Sequence, residues 1–359
     1  MIVLNDDGEQ KPGKGISRLK NSASTGSERS DFYPWQKHNW EHLQALRKRP
    51  QHGLLLKGNK GIGKFDLAIN YARSLLCQHP DEAGFACRQC PSCHWFEQGT
   101  HPDFCLIQSE ALSVEAEEGE PGKKPSKQIS VDQIRGLADF AGMSAHQGGR
   151  RVVVIHPAEA MNSNAANALL KNLEEPPPGM LFILVSHKPQ QLLPTILSRC
   201  LSINLPSPDT KSAVHWLAEQ GVENPAAVLA ASGFAPLQAV VQQPGFEERA
   251  KLLRAVRQPA ALDVYALAET LQKTEQVVVV QWLQQWTYDL NRIKLAGTLR
   301  YHPGEEIVMG KLVESIAPLT LARLQNYLLS AKREAQHTLN PRLFLESLLL
   351  TYRQFMLER

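Results

Sequence analysis

Hydrophobic and polar positions between residues 151 and 200 form blocks whose lengths predict a strand, a helix and a second strand. Two apolar runs, Val152–Ile155 and Leu181–Val185, are too short for helices and too uniformly apolar for strands with one solvated face. Between them, apolar residues recur at helical spacing: Ala166, Leu169, Leu170 and Leu173. The proline run at 176–178 ends this helix. The pattern predicts a right-handed βαβ crossover in a parallel sheet buried on both faces.

The same pattern continues on both sides of this crossover. Further strands are expected at Gly53–Leu56, Asp103–Ile107 and Leu201–Leu205, and a helix capped by Ser130 is expected to run through Ala141. Five strands alternating with helices predict an α/β fold with a five-stranded parallel sheet.

The pattern changes after the prolines at 206 and 208. Short helices are expected at Lys211–Gln220, Pro225–Ala231 and Leu237–Gln242, and only helices beyond Pro244, such as Val277–Leu295 and Leu319–Gln336. Trp282 and Trp286 keep helical spacing and are predicted to lie in a core, and Asn340 is predicted to cap the last helix. The predicted domains are a disordered tail (1–31), an α/β core (32–206), a small helical lid (207–243) and a helical C-terminal domain (244–359).

Composition and charge narrow the class of protein. The chain has 359 residues, 43% hydrophobic and 21% charged, which is ordinary globular usage. A formal charge of +3 is too small to favour tight DNA binding by the chain alone. The sequence shows no apolar run of membrane-spanning length and no secretory h-region, so we expect a cytoplasmic protein.

A glycine-rich stretch after the first core strand predicts a phosphate-binding loop. Gly58, Gly61, Gly63 and Lys64 hold the positions that such a loop requires, between a strand and a helix expected to reach about Cys77. Successive backbone N–H groups and the helix N-terminus attract phosphate, and the lysine bridges its oxygens.

Four of the six cysteines, Cys77, Cys87, Cys90 and Cys93, form a C-x9-C-x2-C-x2-C arrangement. Two overlapping C-x-x-C steps and a fourth thiolate suit tetrahedral Zn²⁺, and four sulfur ligands leave no open catalytic position. The alternatives are a ligand set in which Cys105, His79 or His94 replaces one cysteine, and four free thiols. Thr100 and His101, just after this zinc module (77–93), are expected to shape the turn into the next strand, and residues 110–128 to form a mobile surface loop.

Two motifs in the opening crossover carry a family resemblance. NALLKNLEEPP (167–177) and TILSRC (195–200) resemble the clamp-loader subunits of bacterial DNA polymerase III, members of the AAA+ superfamily, and the resemblance covers residues 33 to 359. Each motif also has a simpler interpretation, the first as a helix stop and the second as a surface arginine. The resemblance implies an AAA+ core with a zinc module at this place, a lid, and a C-terminal domain that joins its counterparts in a collar.

The resemblance also predicts that this chain does not hydrolyse ATP. Phe65 stands where the motor subunits carry the Ser or Thr that ligates Mg²⁺, and His156 and Pro157 stand where they carry an acidic pair. Residues 232–236 lack the lid arginine of the motors, and Glu159 is interpreted as part of the polar face of the next helix. Binding of ATP or ADP by Gly58, Gly61, Gly63 and Lys64 stays open.

The motif around Arg199 is intact. In AAA+ rings an arginine at this position reaches the γ-phosphate held by the neighbouring subunit, so the resemblance implies that Arg199 acts in trans on ATP of a gamma/tau subunit. Ser198 is expected to position the turn and Cys200 to fill the core. The alternative for Arg199 is a salt bridge within its own domain.

The implied role is that of a stator in the DNA polymerase III holoenzyme, a DNA-directed DNA polymerase. The implied partners are gamma/tau and delta subunits in a hetero-pentamer that loads the sliding clamp onto primed DNA. Two other hypotheses remain: an active AAA+ motor with unusual Mg²⁺ ligation, and a zinc-containing DNA-binding adaptor.

Overall fold

The structure is a computed structural model that describes residues 2–4, 10–12, 32–47, 49, 51–112, 126–142, 150–242, 245–337 and 339–358. The chain divides into two compact units, Met1–Ser212 and Ala213–Arg359. None of the helices in the described part is long and apolar enough to span a membrane.

The first unit is built on one sheet. Its strands are β1 (Ile2–Leu4), β2 (Gln10–Pro12), β3 (Gly53–Lys57), β4 (Phe104–Gln108), β5 (Arg151–His156), β6 (Met180–Ser186) and β7 (Leu201–Asn204). Their order is β2-β1-β4-β5-β6-β3-β7. All neighbours pair in parallel except β1 with β2. The predicted five-stranded parallel sheet, β4-β5-β6-β3-β7, is thereby confirmed.

Both faces of this parallel sheet are buried, as the uniformly apolar runs predict. Successive residues of β3 enter different apolar clusters: Leu54 and Leu56 contribute to one, and Leu55 to the other. In β5, Val152 and Val153 divide in the same way. Side chains alternate across a strand, so an unbroken apolar run supplies two cores at once.

Two strands lie where the sequence predicts a disordered tail. β1 pairs in parallel with β4, Ile2 opposite Cys105, and in antiparallel with β2. An edge strand is held by backbone hydrogen bonds, which need little apolar composition, so the low hydrophobicity of residues 1–31 does not exclude such pairing. The other residues of the predicted tail lie outside the described part of the chain.

Helices cover the sheet. They are α1 (Lys37–Leu46), α2 (Lys64–Leu76), α3 (Pro91–Gln98), α4 (Val131–Arg135), α5 (Leu137–Gly142), α6 (Ser163–Glu174) and α7 (Pro194–Arg199). Ser130 caps α4 as predicted, since its hydroxyl accepts the N–H of Gln133. The single helix expected from Ser130 to Ala141 is wrong: α4 ends at Arg135 and α5 begins at Leu137, with Gly136 between them. Glycine is a poor helix former, so an interruption of the helix at this residue costs little free energy. Within the predicted loop at 110–128, residues 113–125 fall outside the described residues.

The second unit is helical in its described part. Its helices are α8 (Thr210–Glu219, begun in the first unit), α9 (Pro225–Ala231), α10 (Pro236–Gln242), α11 (Phe246–Val256), α12 (Val264–Leu271), α13 (Gln276–Ala296), α14 (Glu306–Val313), α15 (Pro318–Glu334) and α16 (Pro341–Leu357). The predicted core position of Trp286 is confirmed: its Nε1–H donates to the Tyr352 hydroxyl at 2.9 Å. That hydroxyl donates to the Val256 carbonyl at 3.0 Å. These bonds join α13, α16 and α11, and Asn340 caps α16 through two backbone N–H groups.

Candidate functional site: the phosphate loop, the cysteine cluster and Arg199

The phosphate loop follows β3 and leads into α2, as predicted. Gly58, Gly61 and Gly63 have φ angles of 155°, 79° and 82°, a range that L side chains rarely adopt. A Cβ on Gly58 would collide with the Leu205 carbonyl oxygen, and one on Gly63 with the Tyr33 ring. These glycines are therefore required by the backbone path of the loop, whether or not a phosphate binds there.

The segment before α1 packs on this loop, a contact that the sequence pattern did not predict. The Gln36 side-chain amide donates to the carbonyls of Ile62 at 2.9 Å and Gly63 at 2.8 Å. Trp35 Nε1 also donates to the Ile62 carbonyl, at 3.0 Å. Both side chains thus bind loop carbonyls, and they stabilise the loop conformation from within the chain.

Lys64 is buried, and its ammonium bonds to its own loop. Nζ donates to the Asn59 carbonyl oxygen at 2.5 Å, and the side chain is only 2% exposed. Burial lowers the pKa of Lys64 to about 8, and the Glu159 carboxylate opposes that shift. A bound phosphate would have to replace or share the contact with Asn59.

Phe65 fills the place of the hydroxyl residue. Its ring stacks on the His156 imidazole with centroids 4.4 Å apart and an angle of 26° between the planes. His156 Nδ1 lies 3.2 Å from Nε2 of Gln108. Burial is the main cause that lowers the pKa of His156 to about 3, which favours the neutral ring. Two residues that differ from the motor pattern therefore pack against each other as an aromatic pair.

Glu159 does not lie on the polar face of a helix, where the sequence placed it. It lies in a 3₁₀ turn, Ala158–Ala160, and its Oε1 accepts the backbone N–H of His187 at 2.9 Å. Its Oε2 is buried and has no hydrogen-bond partner among the described residues. Glu159 is the acid whose charge acts on Lys64, so it belongs to the loop environment.

The four predicted cysteines come together. The sulfur atoms of Cys77, Cys87, Cys90 and Cys93 all lie within 4.8 Å of one another, and all four thiols are free. Cys77 Sγ is 3.5 Å from Cys87 Sγ and 4.0 Å from Cys90 Sγ. A tetrahedron with bonds of about 2.3 Å has edges of about 3.8 Å, so this cluster fits Zn²⁺.

Backbone donors support the same cluster. The Cys87 N–H donates to Cys77 Sγ at 3.2 Å and the Cys90 N–H to Cys87 Sγ at 3.4 Å. The pKa of Cys87 falls to about 6, mainly because the Gln89 backbone N–H bonds to its sulfur. Such bonds favour the thiolate that a metal requires, whereas burial raises the pKa of Cys77 and Cys93. The alternative ligand Cys105 lies in β4 and contributes to the sheet core.

His101 braces the cysteine-bearing elements, in line with its expected structural role. Its Nδ1 accepts the Asp103 N–H at 3.0 Å, so Nε2 carries the proton and donates to Ser92 Oγ at 2.7 Å. That hydroxyl donates to the Leu76 carbonyl at 2.6 Å. The chain of bonds connects α3 with the end of α2, and burial lowers the pKa of His101 to about 4.

Arg199 lies at the end of α7. Its Nη2 is 2.6 Å from Glu174 Oε1, at the end of α6, and its Nη1 donates to the Thr195 carbonyl at 3.1 Å. The Arg199 side chain is 34% exposed and that of Glu174 49%. The ion pair corresponds to the alternative interpretation of Arg199, but the guanidinium stays accessible at the surface. Cys200, predicted as core filler, is buried in the core.

Fold and site together define a protein with a parallel α/β core, a glycine-rich loop between strand and helix, and a tetracysteine cluster. Residues 35–209 match a family model described as DNA polymerase III, delta subunit. Two relatives are DNA polymerase III subunit delta' of Pseudomonas aeruginosa, 37% identical over 90% of this chain and 98% of the relative, and that of Escherichia coli, 30% identical over 82% and 85%. A gamma subunit-related protein of Thermotoga maritima aligns over 88% of this chain and 99% of its own with a TM-score of 0.41 and 18% identity.

The chain belongs to the DNA polymerase III delta' family, as the extent and identity of the match to the Pseudomonas aeruginosa subunit show. The resemblance drawn from residues 167–177 and 195–200 is confirmed. So are the five-stranded parallel core, the cysteine cluster suited to zinc and the helical C-terminal region.

Proposed function

We propose that this chain is the delta' subunit of a DNA polymerase III clamp loader, a subunit that does not hydrolyse ATP itself and supplies Arg199 to ATP bound by a neighbouring gamma/tau subunit. One observation supports this proposal most directly. Phe65, stacked on His156, occupies the position of the Mg²⁺-ligating Ser or Thr, whereas Arg199 remains at the surface. The expected partners are gamma/tau and delta subunits, with the sliding clamp and primed DNA contacted through the complex.

The phosphate loop supports the first half of this proposal. A phenyl ring cannot ligate Mg²⁺, and the stacked pair of Phe65 and His156 leaves neutral rings where charge neutralisation and water activation would be needed. Glu159 directs one oxygen to a backbone N–H of His187. Binding of a nucleotide without turnover is compatible with the three glycines, provided that Lys64 gives up its bond to Asn59.

The surroundings of Arg199 support the second half. Its partner Glu174 is half-exposed, and exposed ion pairs contribute about 0–1 kcal/mol. An arginine finger raises the rate of turnover roughly 10³–10⁵-fold at the site where it acts. Breaking the pair with Glu174 therefore costs little compared with the transition-state stabilisation that an arginine finger supplies, and the planar guanidinium suits bidentate phosphate contact.

The cysteine cluster has a structural role in this proposal. Cys77, Cys87, Cys90 and Cys93 would hold Zn²⁺ with sulfur alone, a set that leaves no open position. The ion would join the end of α2 to the start of α3, where the His101 network already connects the same elements.

The test is a reconstituted complex of this chain with gamma/tau and delta subunits, in which ATPase stimulated by clamp and primed DNA is measured. Arg199→Ala is expected to lower the stimulated rate by roughly tenfold or more, because the developing charge on the neighbour's phosphate loses its partner. Arg199→Lys should restore only part of the rate, since an ammonium lacks the planar fork.

The matched control is Arg135→Ala. Arg135 is an exposed arginine of the same unit that pairs with Asp132, and its loss should leave the stimulated rate unchanged. An Arg199→Ala complex that assembles and hydrolyses ATP at the wild-type rate would refute the trans role. ATPase of the isolated chain that disappears in Lys64→Ala would instead favour the motor hypothesis.

A further inference from the structure

A cleft of about 360 Å³ opens in the second unit among α9, α11 and residues 301–305. Its walls combine apolar side chains, among them Phe246 and Leu253, with Tyr301 and His302. Three arginines also line it: Arg249 and Arg254 of α11, and Arg257 directly after that helix. The cleft is partly open to solvent, and a concave surface with a few convergent polar groups is the usual form of a ligand site.

The charges in this cleft do not balance. Arg257 pairs with Glu305, the one acidic side chain among the lining residues. Arg249 and Arg254 form no ion pair among the described residues; Arg254 bonds only to the Ala250 carbonyl, at 3.3 Å. The cleft therefore presents two guanidinium groups without a directly bound carboxylate.

Arg249 is the more unusual of the two because it is only 8% exposed. Its Nη2 donates to His302 Nε2 at 3.0 Å, whereas its Nε is buried without a hydrogen-bond partner among the described residues. A buried cation with an unused donor carries a desolvation cost that an anion would offset. That cost also lowers the pKa of Arg249 to about 10.

The neighbouring acid does not supply this anion. Asp289 is fully buried, and its two oxygens accept the backbone N–H groups of Arg300, Tyr301 and His302. It also accepts from His302 Nδ1 at 3.0 Å, which leaves Nε2 of that ring as the acceptor for Arg249. Asp289 thus holds the loop. Its hydrogen bonds lead to Arg249 only through the imidazole of His302, although its negative charge also acts on Arg249 and opposes the lowering of the Arg249 pKa.

We propose that this cleft binds a phosphate dianion, held by Arg249 at its floor and Arg254 at its rim. Two guanidinium groups that form no ion pair with a described residue match the charge of a phosphate monoester or inorganic phosphate near neutral pH, and each carries several N–H donors in a planar fork. The cleft is larger than a phosphate alone needs, and the Phe246 wall provides apolar surface for an attached nucleoside. The site is separate from the phosphate loop and independent of the role of Arg199.

The experiment is calorimetric titration of the full-length chain with inorganic phosphate, pyrophosphate and adenosine monophosphate, in chloride buffer at constant ionic strength. Wild-type protein is expected to bind at least one probe. Arg254→Gln should weaken that binding by about tenfold or more, equivalent to about 1.4 kcal/mol. Because Arg254 is exposed, Arg254→Gln should fold. Arg249→Lys is a second variant, which keeps the buried positive charge but removes the planar fork of N–H donors.

Two controls separate this site from other sources of binding. Arg323→Gln, at an exposed arginine of the same unit that does not line the cleft, should leave affinity unchanged. Lys64→Ala should also leave it unchanged, because Lys64 belongs to the phosphate loop. Equal affinity for phosphate and the monophosphate identifies free phosphate as the ligand, and tighter binding of the monophosphate identifies a nucleotide. No heat of binding with any probe, or binding lost in Lys64→Ala and retained in Arg254→Gln, would overturn the proposal.

Discussion

Arg199 and Lys64 are two cations of the first unit with opposite surroundings. Lys64 is buried and donates to a carbonyl of its own loop, so its charge is held inside the chain. Arg199 pairs with a half-exposed carboxylate, and a third of its side chain stays in contact with solvent. Accessibility, more than residue type, determines which of them can act on another molecule.

The pair of Arg199 and Glu174 supplies a prediction at this scale. We expect this ion pair to stabilise the fold no more than other exposed ion pairs do. A double-mutant cycle of Arg199→Ala and Glu174→Gln should therefore give a coupling free energy below about 1 kcal/mol. The measurement is the free energy of unfolding of the four proteins by urea titration. A coupling above about 2 kcal/mol would instead support a mainly structural role for Arg199.

At the scale of elements, the cysteine module joins a helix end to a helix start. Cys77 caps α2, and Cys90 precedes α3. The His101 network connects the same region by hydrogen bonds between Ser92 and the Leu76 carbonyl. The short segment from 78 to 89 therefore depends on two supports, one through sulfur and one through hydrogen bonds.

Metal content provides the prediction for this element. The wild-type chain is expected to contain about one zinc ion, and Cys93→Ser should lose most of it, because three sulfur ligands remain for a tetrahedral ion. Zinc is measured by mass spectrometry of the purified protein, together with thermal unfolding, which should begin at a lower temperature in the variant.

Cys200→Ala serves as the matched control, since Cys200 is a buried thiol outside the cluster. It should retain its zinc. Wild-type protein that is purified in the presence of zinc and still lacks the metal would contradict the assignment.

In the molecule as a whole, buried and half-buried histidines link stability to pH. Burial lowers the pKa of His101 to about 4 and those of His156 and His187 to about 3, and it also lowers that of His302. Their ordinary value is 6.5. Below that pH the unfolded chain binds protons that the folded chain does not, so the free energy of unfolding falls as pH falls from about 6.5 towards about 4.

His101→Gln is expected to reduce this pH dependence. One buried histidine contributes up to about 1.4 kcal/mol per pH unit within that window, and glutamine does not titrate. The measurement is the free energy of unfolding at several pH values between about 4 and 7, compared at each pH with the wild type. An unchanged slope in His101→Gln would contradict the prediction.

The amino-acid sequence was sufficient to predict the five strands of the parallel core, most helices, the glycine-rich loop, the cysteine cluster and the family. These features depend on local spacing: the apolar run 152–155 forms a buried strand, and cysteines three residues apart lie near one another in any tight turn. The break at Gly136 escaped prediction because a single glycine only weakens a helix.

Which distant residues meet depends on how the helices and strands pack. Glu174 and Arg199 are 25 positions apart and face each other because α6 and α7 end at the same place. Glu159 turns inward to His187, and Arg249 reaches His302 across 53 positions. Such contacts depend on how packed elements are oriented, which the periodicity of one segment does not specify, and this is why the partner of Arg199 and the phosphate cleft could not be predicted from the sequence.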